Sequence, residues 1–317
     1  MVRFILRRFG FILLTLFFSS LIIFGATQLL PGDVARVILG QFATETAIEN
    51  LREELGLNRP IYVQYLNWAA DFVRGDWGTS MVSRLPVRPL LMNRLNNSIM
   101  LAALAFIIYV PLGVAFGVIA ALKREKLPDR IISGISMAFV GMPEFVTGLL
   151  LINFVALGLG WLPANSSIEP GSSFIQALPY LILPAITVSL TSLGYVTRMV
   201  RSGTIDVLRS DYVRAAELKG LPARIILFRH VLRNALLPAI TVVAMGIGWL
   251  IGGLIVTEQV YGYPGLGRML VYSIQHGDLP MIQASCMIIV SVFIAANLAA
   301  DILYSLLNPR IRVGKNL

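Results

Sequence analysis

The chain has little with which to do chemistry, and little charge with which to face water. In 317 residues there is one cysteine, Cys286, and there are two histidines, His230 and His276. A single cysteine excludes an internal disulfide and a thiolate zinc cluster; inside its apolar run Cys286 reads as a small buried residue. Charged residues make up only 14%, too few to solvate a water-soluble domain of this length. No G-x-x-x-x-G-K-[ST] phosphate loop occurs, no G-x-S-x-G and no H-E-x-x-H. The stretch "GYPGLGRM" (262–269) is rich in glycine but has no Lys-Ser/Thr to hold phosphate and magnesium, so it reads as a turn between a span and an outer helix.

What is present is hydrocarbon. Apolar residues make up 56% and the mean hydropathy is +0.77, which puts the chain among integral membrane proteins. A bilayer span needs about 20 predominantly apolar residues. Six stretches qualify, at roughly 9–30, 98–122, 131–158, 177–200, 234–256 and 281–307. The fold class is therefore all-α, a polytopic protein with six transmembrane helices. Arg3, Arg7 and Arg8 precede the first span, but its apolar run is too long for a signal-peptide core, and it reads as an uncleaved anchor.

The distribution of basic residues orients the spans. With the N-terminus inside, the inner segments hold 18 of the 26 Lys/Arg: three before the first span, four in 123–130, eight in 198–233 and three at the C-terminus. The 159–176 loop has none, and the 257–280 loop has only Arg268. Both termini are expected in the cytoplasm. The net charge of +9 is thereby mostly orientation chemistry, and no nucleic-acid partner is expected.

Three regions follow: a tail and first span (1–30), an extracytoplasmic segment (31–97), and a core of five spans (98–317) containing an inner loop, 201–233. The outer segment contains two helical patterns. "TETAIENLREELGL" places Ile48, Leu51 and Leu55 on one face, with Thr44 or Thr46 as N-cap and Gly56 as stop. "RPIYVQYLNWAADFVRGDWG" carries Tyr62, Tyr65, Trp68 and Phe72, residues suited to a membrane–water boundary. A small helical cap on the outer face is expected.

The inner loop differs from the rest of the chain. Arg214, Lys219, Arg224, Arg229, Arg233 and His230 surround the Ala215-Ala216 pair and a Gly220-Leu221-Pro222 break. "GTIDVLRSDYVRAAELKG" reads as one or two short helices ending at Gly220, which Pro222 keeps from continuing. Two alanines leave room for a partner surface to approach the backbone. Pro238 sits early in the following span, where it can kink it.

The spacing Ala-Ala, then Gly four residues after the second Ala, then a Leu-Pro ending, resembles the EAA loop of ABC importer permeases, with Arg214 in place of the leading Glu. "RAAELKG…FRHVLRNALLPAI" resembles the version carried by the dipeptide/oligopeptide/nickel permeases. "LLPGDVARVILG" (29–40), "ELGLNRPIYVQYLNW" (54–68), "RGDWGTS" (74–80), "GMPEFVTGLLL" (141–151), "VTEQVYGYPGLGRMLVYSIQHGDLPMIQA" (256–284) and "DILYSLLNPRIR" (301–312) are similar to successive segments of that family. The resemblance implies a coupling helix between the fourth and fifth spans that docks on an ATP-hydrolysing subunit. On this chain its residues would be Ala215, Ala216, Glu217 and Gly220, flanked by Asp211, Tyr212, Leu218 and Leu221. Tyr212 and Leu221 would be apolar anchors. It further implies a bacterial inner-membrane assembly containing a second homologous permease, two ABC ATPase subunits that bind ATP and magnesium, and an extracytoplasmic solute-binding protein, all amid membrane lipid. The expected cargo is a dipeptide or oligopeptide; nickel complexes, glutathione or oligosaccharides are alternatives within the same architecture. No cofactor or metal is expected in this chain.

An intramembrane enzyme or a channel is the rival. Its raw material would be Glu144, Asp301, His230, His276 and Cys286. On the expected topology the two histidines lie on opposite faces, so no catalytic pair assembles, and Asp301 lies near an inner end where it can pair with Arg310 or another inner-face Arg. No repeated filter sequence marks a pore. The chain is read as a transport subunit and not an enzyme. Glu144 follows Pro143 in the middle of the third span: it either lines a translocation path, where its charge would favour a peptide amino group, or serves helix packing.

Overall fold

The structure is a computed structural model that describes residues 2–29, 44–54, 58–168 and 173–307. The described residues are mostly helical, and the one extended pairing among them is an isolated bridge between Thr79 and Pro86. In chain order the helices are α1 (Val2–Gln28), α2 (Glu45–Glu54), α3 (Ile61–Arg74), α4 (Val87–Leu122), α5 (Leu127–Gly141) and α6 (Glu144–Leu151). A π-helical stretch, Ile152–Gly158, continues α6. Then come α7 (Phe174–Leu208), α8 (Asp211–Leu218), α9 (Leu232–Tyr261), α10 (Leu266–Gln275) and α11 (Leu279–Leu307). A short turn, Ala223–Ile225, and a π-helical turn, Ile226–Val231, lead into α9.

Among the described residues five stretches are long and apolar enough to cross a membrane, and α5 with the continued α6 makes a sixth if that bent pair is one span. The sequence suggests a kinked helix over 131–158. Instead the chain breaks there, and the two halves are bent by 112°. Proline lacks the N–H that would continue the ladder and pushes its predecessor out of the α region. Met142 accordingly sits at φ −93°, ψ 129° and Pro143 at φ −59°, ψ 138°, two consecutive extended residues that redirect the axis. Pro111, Pro179, Pro184 and Pro238, by contrast, remain inside continuous helices.

Several helices outrun the spans legible in hydropathy. α4 starts at Val87, and α7 runs on to Leu208. Hydropathy marks the lipid-matched stretch, whereas a helix continues until its backbone is capped. The start of α7 carries a capping box: the Gln176 N–H donates to Ser173 Oγ at 3.5 Å, and the Ser173 N–H to Gln176 Oε1 at 3.1 Å.

The chain divides into two compact units. The first comprises residues 1–98 and 264–294. Its core is built from Val87, Leu91, Leu266, Met281, Ala284 and Ile288, with Phe72 and Trp77 packed against them. The Asp278 carboxylate, almost fully buried, accepts from Ser80 Oγ and from the Met81 N–H at 3.1 Å, stapling the turn after α3 to the start of α11. α3 packs on α1 through Phe24, Tyr65 and Trp68, and Tyr65 shares a 2.8 Å hydrogen bond with Ser20. Both helices expected between residues 31 and 97 are present. Of the two candidate caps of α2, Thr44 accepts from the Ala47 N–H at 3.4 Å. Gly56, read as its stop, and residues 30–40 of the next matched stretch lie outside the described residues.

The second unit comprises residues 99–263 and 295–317. α7 runs through its centre, where Leu181, Ala185, Val188, Val196 and Val200 meet Leu101, Ala105, Tyr109, Leu250 and Leu254 in one apolar core. α7 and α9 come together at Gly203, where an added Cβ would stand 2.6 Å from the Ala235 carbonyl oxygen. A side chain there has nowhere to go, which fits the use of small residues where membrane helices touch backbone to backbone. α5 is tied to α7 by a two-pronged ion pair: Arg201 Nε and Nη2 reach the two Asp129 oxygens at 2.6 and 2.7 Å. The Glu125 N–H and Ser133 Oγ donate to the same carboxylate.

Candidate functional site

Two places in the second unit bear on function: the short helix α8 and a cavity beside α6.

α7 ends at Leu208, Ser210 adopts extended backbone at φ −74°, ψ 149°, and α8 begins at Asp211. An acidic residue in a first turn suits the positive end of the helix dipole. α8 has two faces. Val213 and Ala216, three residues apart, are buried in a small apolar cluster with Ile226, Val231 and Ala235. This cluster fastens α8 to the start of α9. Asp211, Tyr212, Arg214, Ala215, Glu217 and Leu218 face outward. Leu218 is 84% exposed, Tyr212 44% and Leu221 37%, three apolar side chains left open to the surface among the described residues. Asn234 Nδ2 of α9 donates to the Tyr212 hydroxyl at 2.9 Å and orients the ring.

The end of α8 is a Schellman turn. Gly220 takes the left-handed conformation at φ +74°. Its N–H donates to the Glu217 carbonyl at 2.9 Å, and the Leu221 N–H to the Ala216 carbonyl at 3.3 Å. Only glycine enters this region without strain. A Cβ at Gly220 would meet nothing within 4 Å, so its requirement is conformational and not one of space within this chain.

All eight residues singled out in the 201–233 loop therefore lie on one element and its cap, with different surroundings. The alanine pair is split: Ala216 points inward and helps hold α8, while Ala215 faces out. The sequence suggests one docking surface formed by both. The i, i+3 spacing of Val213 and Ala216 was the available signal that one alanine belongs to the buried face.

The cavity holds about 230 Å³ and is lined by Glu144, Tyr109, Thr191, Ser192, Tyr195 and several apolar side chains, Leu250 among them. Glu144 opens α6, directly after the Pro143 break. Its carboxylate lies against α9 at Gly253, where a Cβ would stand 2.5 and 2.6 Å from its two oxygens. Two positions missed by sequence reasoning thus shape the site. Gly253 leaves the space the carboxylate fills, and Tyr109, fully buried, has a hydroxyl with no hydrogen-bond partner. The lone hydroxyl in the apolar run "LAFIIYVPLG" was a signal for Tyr109; nothing in the sequence distinguishes Gly253 from neighbouring Gly252.

The remaining ionisable candidates fall on different elements. His276 stacks on Tyr272 at 4.0 Å within the first unit, while His230 sits in the π-helical turn before α9 in the second. Cys286 is half-buried in α11. The side chains of Asp301 and Arg310 lie outside the described residues. Among the described residues no group of three or more His, Cys, Asp or Glu side chains is placed to hold a metal.

Comparison with known proteins covers both halves of the chain. Residues 113–313 match the family described as binding-protein-dependent transport system inner membrane component, and residues 1–102 match the N-terminal membrane component of such systems. The probable peptide ABC transporter permease protein y4tP of Sinorhizobium fredii (strain NBRC 101917 / NGR234) is 38% identical over 309 residues, covering 98% of this chain and 99% of the relative. The glutathione transport system permease protein GsiC of Escherichia coli (strain K12) is 37% identical over 312 residues, with the same coverage. Among solved structures, an inward-facing MetNI methionine ABC transporter aligns over 69% of this chain and 94% of its own, at a TM-score of 0.51 and 16% identity. That last likeness bears on the fold alone.

Proposed function

Because this chain belongs to the family of binding-protein-dependent transport inner membrane components, it is a multi-pass permease subunit of an ABC importer, and we propose that its cargo is a short peptide. Two relatives that span nearly the whole chain carry names of peptide and glutathione transport, and glutathione is itself a small peptide. Under this reading the chain sits in a bacterial inner membrane with both termini cytoplasmic, as its basic residues favour. It pairs with a second, homologous permease, with two ATPase subunits that bind ATP and magnesium, and with an extracytoplasmic solute-binding protein.

The observation that carries the coupling role is the exposure of Tyr212, Leu218 and Leu221 on α8 and its cap, an element whose other face is anchored. An apolar group held rigidly at a surface marks a partner site. The ATPase subunits are the partners proposed for it, with Asp211, Glu217 and the bare Ala215 around the apolar group. Movement of α8 then has a physical route into the membrane. Val213 and Ala216 grip the start of α9, Tyr212 is bonded to Asn234, and α7 meets α9 backbone to backbone at Gly203. The Arg201–Asp129 pair extends the linkage to α5. ATP-driven closure of the ATPases would shift these helices as a body and change access to the cavity beside Glu144, in the manner of alternating access.

The test is uptake by the complete reconstituted importer. Labelled dipeptide should accumulate only with ATP inside and binding protein outside. Uptake of oligosaccharide or nickel complex but no peptide would overturn the cargo assignment, and uptake without ATP would overturn the coupling.

A further inference from the structure

The cavity beside Glu144 is more specific than a path requires. Within the second unit, a carboxylate and an unpartnered hydroxyl, one half-buried and the other fully buried, face a common stripe of α9. Gly253 leaves bare backbone at Glu144, and a Cβ at Gly246 would lie 3.5 Å from the Tyr109 hydroxyl. These glycines are seven residues apart, two helical turns, so they lie on the same side of α9 about 10 Å apart along its axis. No other described side chain forms an ion pair or hydrogen bond with Glu144. Ionisable and polar groups left unmatched inside a membrane protein mark ligand sites.

We propose that this cavity binds a short peptide end to end, with its free ammonium group at Glu144 and a carbonyl or carboxylate oxygen at the Tyr109 hydroxyl. An ammonium offers three donors and no acceptor, the complement of a carboxylate, and a phenol offers the donor that a peptide oxygen lacks. An extended peptide advances about 3.3–3.6 Å per residue, so the two polar stations match a di- or tripeptide. Thr191 and Ser192 add hydroxyls, and Val196 and Leu250 give apolar wall for the side chains. That wall lowers the local dielectric and strengthens the charge attraction. The proposal rests on the peptide reading above only for what bears the ammonium.

The test needs neither ATP nor binding protein, so it can fail independently of that reading. In the full complex, with Cys286 replaced by alanine, Ser192→Cys is titrated with two methanethiosulfonates, one carrying an ammonium and one a sulfonate. Relative to a free thiol, the cationic reagent should be favoured by about tenfold or more, and Glu144→Gln should remove that preference. Millimolar alanyl-alanine should protect the cysteine, N-acetyl-alanyl-alanine should not, and Tyr109→Phe should weaken protection by about tenfold. Thr191→Cys is a second reporter should Ser192→Cys not assemble. Equal reagent ratios with and without Glu144, equal protection by the acetylated peptide, or reporters that neither reagent reaches would overturn the proposal. Protection by propylamine equal to that by the dipeptide, unchanged by Tyr109→Phe, would overturn the role of Tyr109.

Discussion

Arg201 holds Asp129 with two hydrogen bonds, at 2.6 and 2.7 Å, and so ties the beginning of α5 to the end of α7. The Asp129 side chain is 5% exposed and that of Arg201 31%. Breaking such a pair costs more than making it gains, because one charge is left without its partner. Asp129→Asn should therefore lower the stability of the solubilised complex by about 2 kcal/mol, discounted for the part of Arg201 that water reaches. Thermal denaturation would show this as a fall of several degrees; an unchanged midpoint would mean the pair is idle.

Gly203 sits where α7 and α9 touch. Gly203→Ala would push a methyl to 2.6 Å from the Ala235 carbonyl oxygen, and backbone cannot step aside as a flexible side chain can. A cost of about 1–3 kcal/mol is expected, together with weaker coupling of ATP hydrolysis to uptake. Wild-type coupling and stability in this variant would place the transmission route elsewhere.

At Gly220 the requirement is backbone conformation. Asparagine tolerates the left-handed region best among side-chain residues, alanine costs about 1–2 kcal/mol there, and β-branched valine more. Uptake should fall in the order Gly, Asn, Ala, Val while the amount of inserted protein stays constant. A ranking by side-chain size instead, with asparagine below alanine, would indicate that a partner packs against this position.

The exposure of Leu218 makes a sharp probe of partner docking. Leu218→Asp changes nothing that this chain buries, so insertion and thermal stability should match wild type within about 0.5 kcal/mol. Binding of the ATPase subunits, measured by titration against the purified permease pair, should weaken by at least tenfold. An unchanged affinity would remove α8 from the interface.

The sequence was most informative where a signal is local. Long apolar runs marked the spans, and Gly220 followed by Pro222 marked the end of α8, because hydropathy and backbone conformation act on neighbouring residues. The break at Met142-Pro143 was only half legible: proline predicts a disturbance, but whether a helix bends or breaks depends on what packs around it, as the intact helices through Pro111 and Pro238 show. The Glu144–Gly253 contact was not legible, since it joins α6 to α9 across more than a hundred positions. The inward turn of Ala216 was legible in its spacing from Val213, but what covers that face, Ile226 and Val231, was not.

As proposed here, α8 is the lever through which ATP hydrolysis drives this permease. The most direct measurement is ATP hydrolysis by the complex reconstituted in lipid, with and without liganded binding protein, for wild type and for Leu218→Asp at saturating ATPase subunits. Stimulation by the binding protein is expected in wild type and its loss in the variant, with the chain inserted at wild-type level. Equal stimulation in both would contradict it.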